Sequence, residues 1–220
     1  MDTDAEAATT WLAEAPVVER LELDEASWVD VVRGLLPQHQ DVHDALAAGV
    51  TWEPGKVFRY ERWVPEPRQF GLRVGAHTHP ALAEAQRWLS RRYRVPFGGL
   101  ALVRYRDQRD GVGFHRDREM RWLEDTVIGV LSLGAQRSFL LRPLTSRRAE
   151  ADDMRGVLDV RPAGGDLLVM GGRCQAAWLH GVPQRPEPAR SRISVQWRWT
   201  SRTGRRDPNP TYSAPRHFSR

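Results

Sequence analysis

Residues 97–142, FGGLALVRYRDQRDGVGFHRDREMRWLEDTVIGVLSLGAQRSFLLR, decide the fold. Short β-branched and aliphatic runs, Leu100–Tyr105, Thr126–Leu133 and Ser138–Arg142, alternate with Gly-bearing or polar segments, the pattern of strands joined by turns. The pattern continues in Val157–Val160, Asp166–Met170 and Ser191–Thr200. Upstream the texture differs. Pro80 opens a helix expected to reach Tyr93, with Leu82, Ala85, Trp88 and Leu89 facing inward. A second helix is expected over 25–36, with Asp24 as N-cap, a stripe of Trp28, Val31, Val32, Leu35 and Leu36, and Pro37 as its stop. Residues 51–76 mix Trp, Arg, Pro and Gly without a steady period, as short strands and loops that cover a site do. Helices first and many strands after predict an α+β domain built on a sandwich or barrel.

The 220 residues, 40% hydrophobic, suit one globular domain rather than a disordered chain. The expected organisation is a flexible N-terminus over 1–16, helices and a covering segment over 17–96, a β-rich core over 97–200 and a basic, disordered tail over 201–220. No run of 18 apolar residues predicts a membrane span, and MDTDAEAATT lacks a signal-peptide core. The single cysteine, Cys174, allows no intrachain disulfide and reads as a packed thiol. A reducing, cytoplasmic setting is therefore expected. Lys and Arg outnumber Asp and Glu by 33 to 28, and Lys56 is the only lysine. Arginine forms planar, bidentate contacts to phosphate and carboxylate, so the balance fits an anionic partner such as nucleic acid. Replacement of lysine in a GC-rich genome would give the same composition. Nine tryptophans suggest that some line a cleft.

GFHRDRE carries His115 and Asp117 at i, i+2. In an extended chain that spacing points both side chains to one face. A second imidazole would complete a two-His, one-carboxylate face with open positions, a set suited to non-haem Fe(II). His180, in AAWLHGVPQ, is the candidate. An H-x-D triplet alone is weak, because such triplets occur by chance on surfaces. His39 and His43, His77 and His79, and His217 have no acidic residue in a matching strand context and read as solvated or locally bonded.

RISVQWR (192–198) places Arg192 and Arg198 on one face of a strand, with Ser194 and Gln196 between them and Val195 and Trp197 opposite. A buried arginine requires an anion. The distal carboxylate of 2-oxoglutarate fits Arg192. Arg198 is left with three roles: the metal-proximal end of the co-substrate, Asp117, or the substrate. An arginine pair on a solvated strand face is the plainer alternative. Tyr105, ten residues before His115, offers a phenol to the co-substrate carboxylate or is an ordinary strand aromatic.

Together these pieces resemble the AlkB family of nucleic-acid dealkylating dioxygenases, over roughly Val64 to Thr200. VPEPR (64–68) resembles the opening of its nucleotide-recognition lid, RYRDQRDGVGFHRDRE (104–119) its iron-binding strand and turn, and VLSLGAQRSFLLR (130–142) its S-L-G…R-x-F hairpin. GGDLLVMGGRCQAAWLHGVPQ (164–184) resembles its Q-x-x-W-x-H segment, and RISVQWR its paired-arginine strand. The resemblance implies a double-stranded β-helix, or jelly-roll, core with N-terminal helices and a lid. It implies Fe(II) held by His115, Asp117 and His180, with 2-oxoglutarate and O2 as co-substrates. It also implies a monomer that oxidatively demethylates N-alkylated bases in DNA or RNA. Under it, Arg118, Glu119, Trp52, Trp63, Arg68 and Phe70 become substrate-contact candidates. Arg59, Arg62, Arg68 and Arg73 become candidates for phosphate contacts. The chain departs from the family pattern at Val103, where asparagine is usual, at Ser194 and Gln196, where asparagine and threonine are usual, and at Arg118, where a second aspartate is common. Arg118 would disfavour a protonated 1-methyladenine or 3-methylcytosine. Two alternatives stand beside this reading. One is a dioxygenase of the same fold acting on a small metabolite, a protein or another modified RNA base. The other is a non-catalytic nucleic-acid-binding module.

Overall fold

The computed structural model describes residues 10–59, 62–117, 120–144 and 154–206, the side chains of 57–59, 62 and 63 excepted. In chain order the strands begin with β1 (Val18–Glu22), β2 (Ser27–Val32), β3 (Trp52–Arg59), β4 (Arg62–Gly71), β5 (Leu100–Tyr105) and β6 (Val112–His115). They continue with β7 (Thr126–Gly134), β8 (Leu140–Pro143), β9 (Leu158–Asp159), β10 (Leu167–Gly172), β11 (Trp178–Val182) and β12 (Arg192–Thr200). Helices α1 (His39–Gly49) and α2 (Pro80–Tyr93) interrupt the first half. An eight-stranded sheet runs β1-β2-β10-β7-β12-β5-β4-β3 and a four-stranded sheet runs β6-β11-β8-β9. Every pairing is antiparallel.

Alternation along the large sheet separates two apolar layers. Leu102, Leu131, Val169, Ile193, Val195 and Trp197 face an outer core with Leu46 of α1 and Leu82, Ala85 and Leu89 of α2. Val103, Tyr105, Ile128, Val130, Leu168 and Met170 face an inner core that includes Phe139, Leu141 and Val182 of the small-sheet side. Two antiparallel sheets enclosing one core, with helices on the far side of one of them, are the jelly-roll architecture expected. Gly129 brings α2 close to the sheet, because a Cβ there would sit 3.0 Å from Leu89.

α2 occupies the expected span, with Pro80 in its first turn and His79 Nδ1 accepting from the Ala81 amide at 3.2 Å. The helix expected over 25–36 is instead strand β2 followed by turns. Its apolar spacing satisfied a helical period, but Val29, Val31 and Val32 are β-branched and the segment is hydrogen-bonded between β1 and β10. The buried Asp30 in its middle is matched by two bonds from Arg20, at 2.6 and 2.9 Å, and one from the Tyr93 hydroxyl at 2.9 Å. Asp24 caps a turn rather than a helix, accepting from the Ala26 amide at 2.9 Å.

Where they are described, both ends contact the fold. Leu12 lies in the outer core, and the Ala13 amide donates to the Leu35 carbonyl at 2.9 Å. Arg206 forms a β-bridge with Trp122. Residues 1–9 and 207–220 lie outside the described residues. Among the described residues no helix is long and apolar enough to cross a membrane.

Candidate active site

His115 closes β6 and His180 lies within β11, and the two are direct cross-strand partners. Opposed residues of an antiparallel pair share a face, and the two imidazole centroids are 4.3 Å apart. Asp117 follows two residues on. Each histidine Nε2 lies 3.9 Å from Asp117 Oδ1, and all three ligating atoms fall within 4.8 Å of one another. Two donors each about 2.1 Å from one ion can be up to about 4.2 Å apart; both 3.9 Å separations to Asp117 lie inside that limit, and the three side chains form a candidate metal-binding group. His115 is 31% exposed against 10% for His180 and 6% for Asp117. The face is therefore open to ligands on the His115 side.

The neighbours fix each donor. His115 Nδ1–H donates to the Gly113 carbonyl at 2.9 Å, which leaves Nε2 with its lone pair free. Phe139 stacks on the His180 ring at 5.7 Å and 8°. Arg198 Nε donates to Asp117 Oδ2 at 2.7 Å, and the Asp117 amide donates to Gln175 Oε1 at 2.9 Å. Burial pushes His180 down to about 3, with His115 adding to the effect and Asp117 opposing it. Burial also lowers His115, against Asp117 and with help from the Arg68 charge. For Asp117, burial acts upward, but Arg198 and the two imidazoles override it and hold the carboxyl well below the usual carboxylate range. Neutral imidazoles and a carboxylate are the forms that bind metal.

β12 runs away from this centre along the inner core. Arg198 Nη2 donates to Gln196 Oε1 at 2.6 Å, and Gln196 Nε2 donates to Ser194 Oγ at 3.2 Å. Arg192, 1% exposed, donates through Nη2 to Ser132 Oγ at 2.9 Å. Ser132 is the register partner of Ser194, so the Arg192 guanidinium leans toward the metal end of the strand. Its Nε and Nη1 are buried without a partner. Burial lowers Arg192 to about 10, against the pull of Tyr105 and with Arg137. Tyr105 pairs with Arg192 across the β5–β12 ladder, its ring 5.5 Å from the guanidinium carbon. A buried fork with two empty donors is a seat for a carboxylate. With the metal face on the same side of the sheet, these residues fit Fe(II) and 2-oxoglutarate.

Of its three candidate roles, the contact Arg198 makes here is the second, to Asp117. Sequence reasoning assigned nothing to Gln175 or Arg137. Gln175 heads the Q-x-x-W-x-H segment. Arg137 stands in the R-x-F piece, where it is buried and donates to the carbonyls of Asp107, Asp110 and Pro183 at 2.7–2.9 Å. Both motifs carried the signal, but neither residue type suggested its role.

The substrate candidates divide. Arg118 and Glu119 lie outside the described residues, as does the Trp63 side chain, although Trp63 pairs with Phe58 in the hairpin. Phe70 packs on the inner core. Arg68 is buried and paired with Glu66 at 3.2 Å, so it is not a surface phosphate contact. Trp52 is a correction: it packs against the outer core, on the helix side of the sheet, away from the metal face. His43 is bonded, as expected, but buried rather than solvated. It lies 2.8 Å from Asp44 Oδ1 and 3.2 Å from Ser191 Oγ. Cys174 is a packed thiol whose pKa burial raises to about 12.

A family model described as the 2OG-Fe(II) oxygenase superfamily matches residues 11–206. The alpha-ketoglutarate-dependent dioxygenase alkB homolog 3 of Homo sapiens is 30% identical over 67% of this chain and 49% of its own length. The DNA oxidative demethylase ALKBH2 of Bos taurus is 30% identical over 54% of this chain and 42% of its own. The chain thus spans about half the length of the curated relatives it matches. In fold it resembles HygX from Streptomyces hygroscopicus, solved with nickel, 2-oxoglutarate and hygromycin B bound. That TM-score is 0.55 at 14% identity, over 77% of this chain and 81% of that one.

Proposed function

The chain belongs to the 2OG-Fe(II) oxygenase superfamily, and on that premise we propose that it oxidatively demethylates N-alkylated nucleic-acid bases, as an AlkB-like alkylation-repair enzyme. The observation that carries the reading is the buried Arg192 fork, two of whose donors lack a partner, on the same side of the sheet as the His115–Asp117–His180 face. A binding module has no use for both. The AlkB homologues among the relatives and the arginine-rich composition support a nucleic-acid substrate.

When bound, Fe(II) and 2-oxoglutarate supply the oxidation: one atom of O2 enters succinate as CO2 leaves, the other enters an N–CH3 group, and the N–CH2OH product releases formaldehyde as its hydroxyl proton returns to nitrogen. The protein does the rest. Arg192 clasps the far carboxylate of the co-substrate. Arg198 holds Asp117 ionised, with Oδ1 turned to the metal face and Oδ2 engaged. Gly113 sets the His115 tautomer. A target base in a duplex must leave the stack to reach this face, and Phe70 on β4 offers it a ring.

The test is succinate release and product mass on methylated single- and double-stranded DNA and RNA, with iron and 2-oxoglutarate supplied. Methylated oligonucleotides should raise turnover above the uncoupled rate, and His115→Ala should abolish it. Full activity in His115→Ala would end the enzyme reading. Turnover indifferent to every oligonucleotide would favour a small-metabolite or protein substrate.

A further inference from the structure

The covering strand β4 sends a charge pair into the cleft. Phe70 is the register partner of Val103 and packs on the inner core, and although the β3–β4 register shifts between Gln69 and Pro65, Arg68 contacts both Phe70 and Glu66, so the three side chains form one cluster. Both charged side chains are 10% exposed. The Arg68 guanidinium carbon lies 5.1 Å from the Phe70 ring centroid. β3 leaves room for this cluster, since a Cβ on Gly55 would stand 2.5 Å from the Phe70 ring and 2.9 Å from Glu66 Oε2.

The two charges are not equally placed. The Glu66 carboxylate tucks against Gly55 on β3, the outermost strand of the sheet. The backbone beside Arg68 is tied to the metal-bearing strand: the Gly111 amide, one residue before β6, donates to the Pro67 carbonyl at 2.9 Å, and the Arg68 charge adds to the lowering of both histidines. An ion pair this far from water adds little stability, because desolvation offsets its attraction. Placed beside a reactive centre, it can serve recognition.

We propose that Arg68 selects the lesion by donating to carbonyl oxygens that flank the alkylated nitrogen. The preferred substrates are then neutral bases, 3-methylthymine, 3-methyluracil and 1-methylguanine, over the cationic 1-methyladenine and 3-methylcytosine. The proposal rests on the dealkylase reading above. In 3-methylthymine and 3-methyluracil both neighbours of the alkylated nitrogen are carbonyls, and in 1-methylguanine one is. A guanidinium fork offers them several donors. A cationic base would instead meet a like charge at short range. Glu66 orients Arg68 while the cleft is empty.

The experiment is a competition among oligonucleotides carrying one lesion each, with Fe(II) and 2-oxoglutarate, read by mass. The wild type should demethylate the carbonyl-bearing lesions about tenfold faster or more. Arg68→Gln should reduce that ratio by about ten- to a hundredfold, the worth of one charge-assisted hydrogen bond. A ratio between lesions cancels any loss of folded protein. Binding of the same labelled oligonucleotides under nitrogen, read by fluorescence anisotropy, should follow the same order. A wild type that prefers the cationic lesions, or an Arg68→Gln ratio equal to that of the wild type, overturns the role of Arg68 while leaving the dealkylase reading intact. Inactivity on all lesions while 2-oxoglutarate is still consumed overturns both.

Discussion

Arg198 Nε and Asp117 Oδ2 lie 2.7 Å apart, while Asp117 Oδ1 faces both His115 and His180 at 3.9 Å. One oxygen is held by the protein and the other is left for the ion. Arg198 thus positions the carboxylate ligand, and the remaining contacts along β12 carry that order toward the co-substrate seat.

Replacing Arg198 by methionine removes this restraint and leaves the Asp117 charge buried without its main partner. Metal affinity should fall about 10- to 100-fold, the usual effect of losing a group that orients a ligand. A Mn(II) titration by electron paramagnetic resonance reads it directly. Affinity equal to wild type would mean that the Arg198–Asp117 contact does not set metal binding.

Arg192→Met should act in opposite directions on binding and on stability. It removes the carboxylate clasp, so KM for 2-oxoglutarate should rise about a hundredfold, as expected for a bidentate charged contact. It also removes a buried cation with two unpartnered donors, so the ligand-free protein should melt at a higher temperature. Thermal melts with and without 2-oxoglutarate separate the two effects. An unchanged KM would place the co-substrate elsewhere.

Acidity should affect the fold more than the ligand set. His180 stays neutral to about pH 3 when folded but takes up a proton near 6.5 when unfolded. The unfolded chain therefore binds more protons between these values, so stability rises with pH across that window and falls as the solution is acidified. Metal affinity should fall with acid less steeply than at an ordinary histidine site, because burial holds both imidazoles below their usual value. Chemical denaturation and Mn(II) binding over the same pH range check both halves.

Gln175→Ala removes the acceptor for the buried Asp117 amide. Unfolding free energy should drop by about 1–3 kcal/mol, the cost of an unsatisfied buried donor. The metal should bind more weakly as well, because the turn carrying Asp117 loses an anchor. Loss of stability at unchanged metal affinity would limit Gln175 to packing.

The sequence by itself determined the core strands β5, β7, β8, β10 and β12, the second helix and the shared face of His115 and Asp117, because each is written locally. Leu100–Tyr105 is a short, nearly continuous apolar run, Ser191–Thr200 carries period-two alternation, and Pro80 opens α2 from its own fixed dihedral. His115 and Asp117 share a face by parity alone, and the paired arginines of β12 do so likewise. Only the tertiary structure decided the rest. Residues 27–32 fit a helical stripe and a buried strand equally well, and the choice was made by β1 and β10 on either side. The side of the sheet on which Trp52 falls, the pairing of Arg68 with Glu66, and the division of the Asp117 oxygens all depend on partners distant in the chain or on the strand's place in the sheet. Local periodicity holds no information about which distant strand arrives opposite. That is fixed by hydrogen bonding and burial summed over the whole fold, and His115 meets His180 because β6 and β11 pair there.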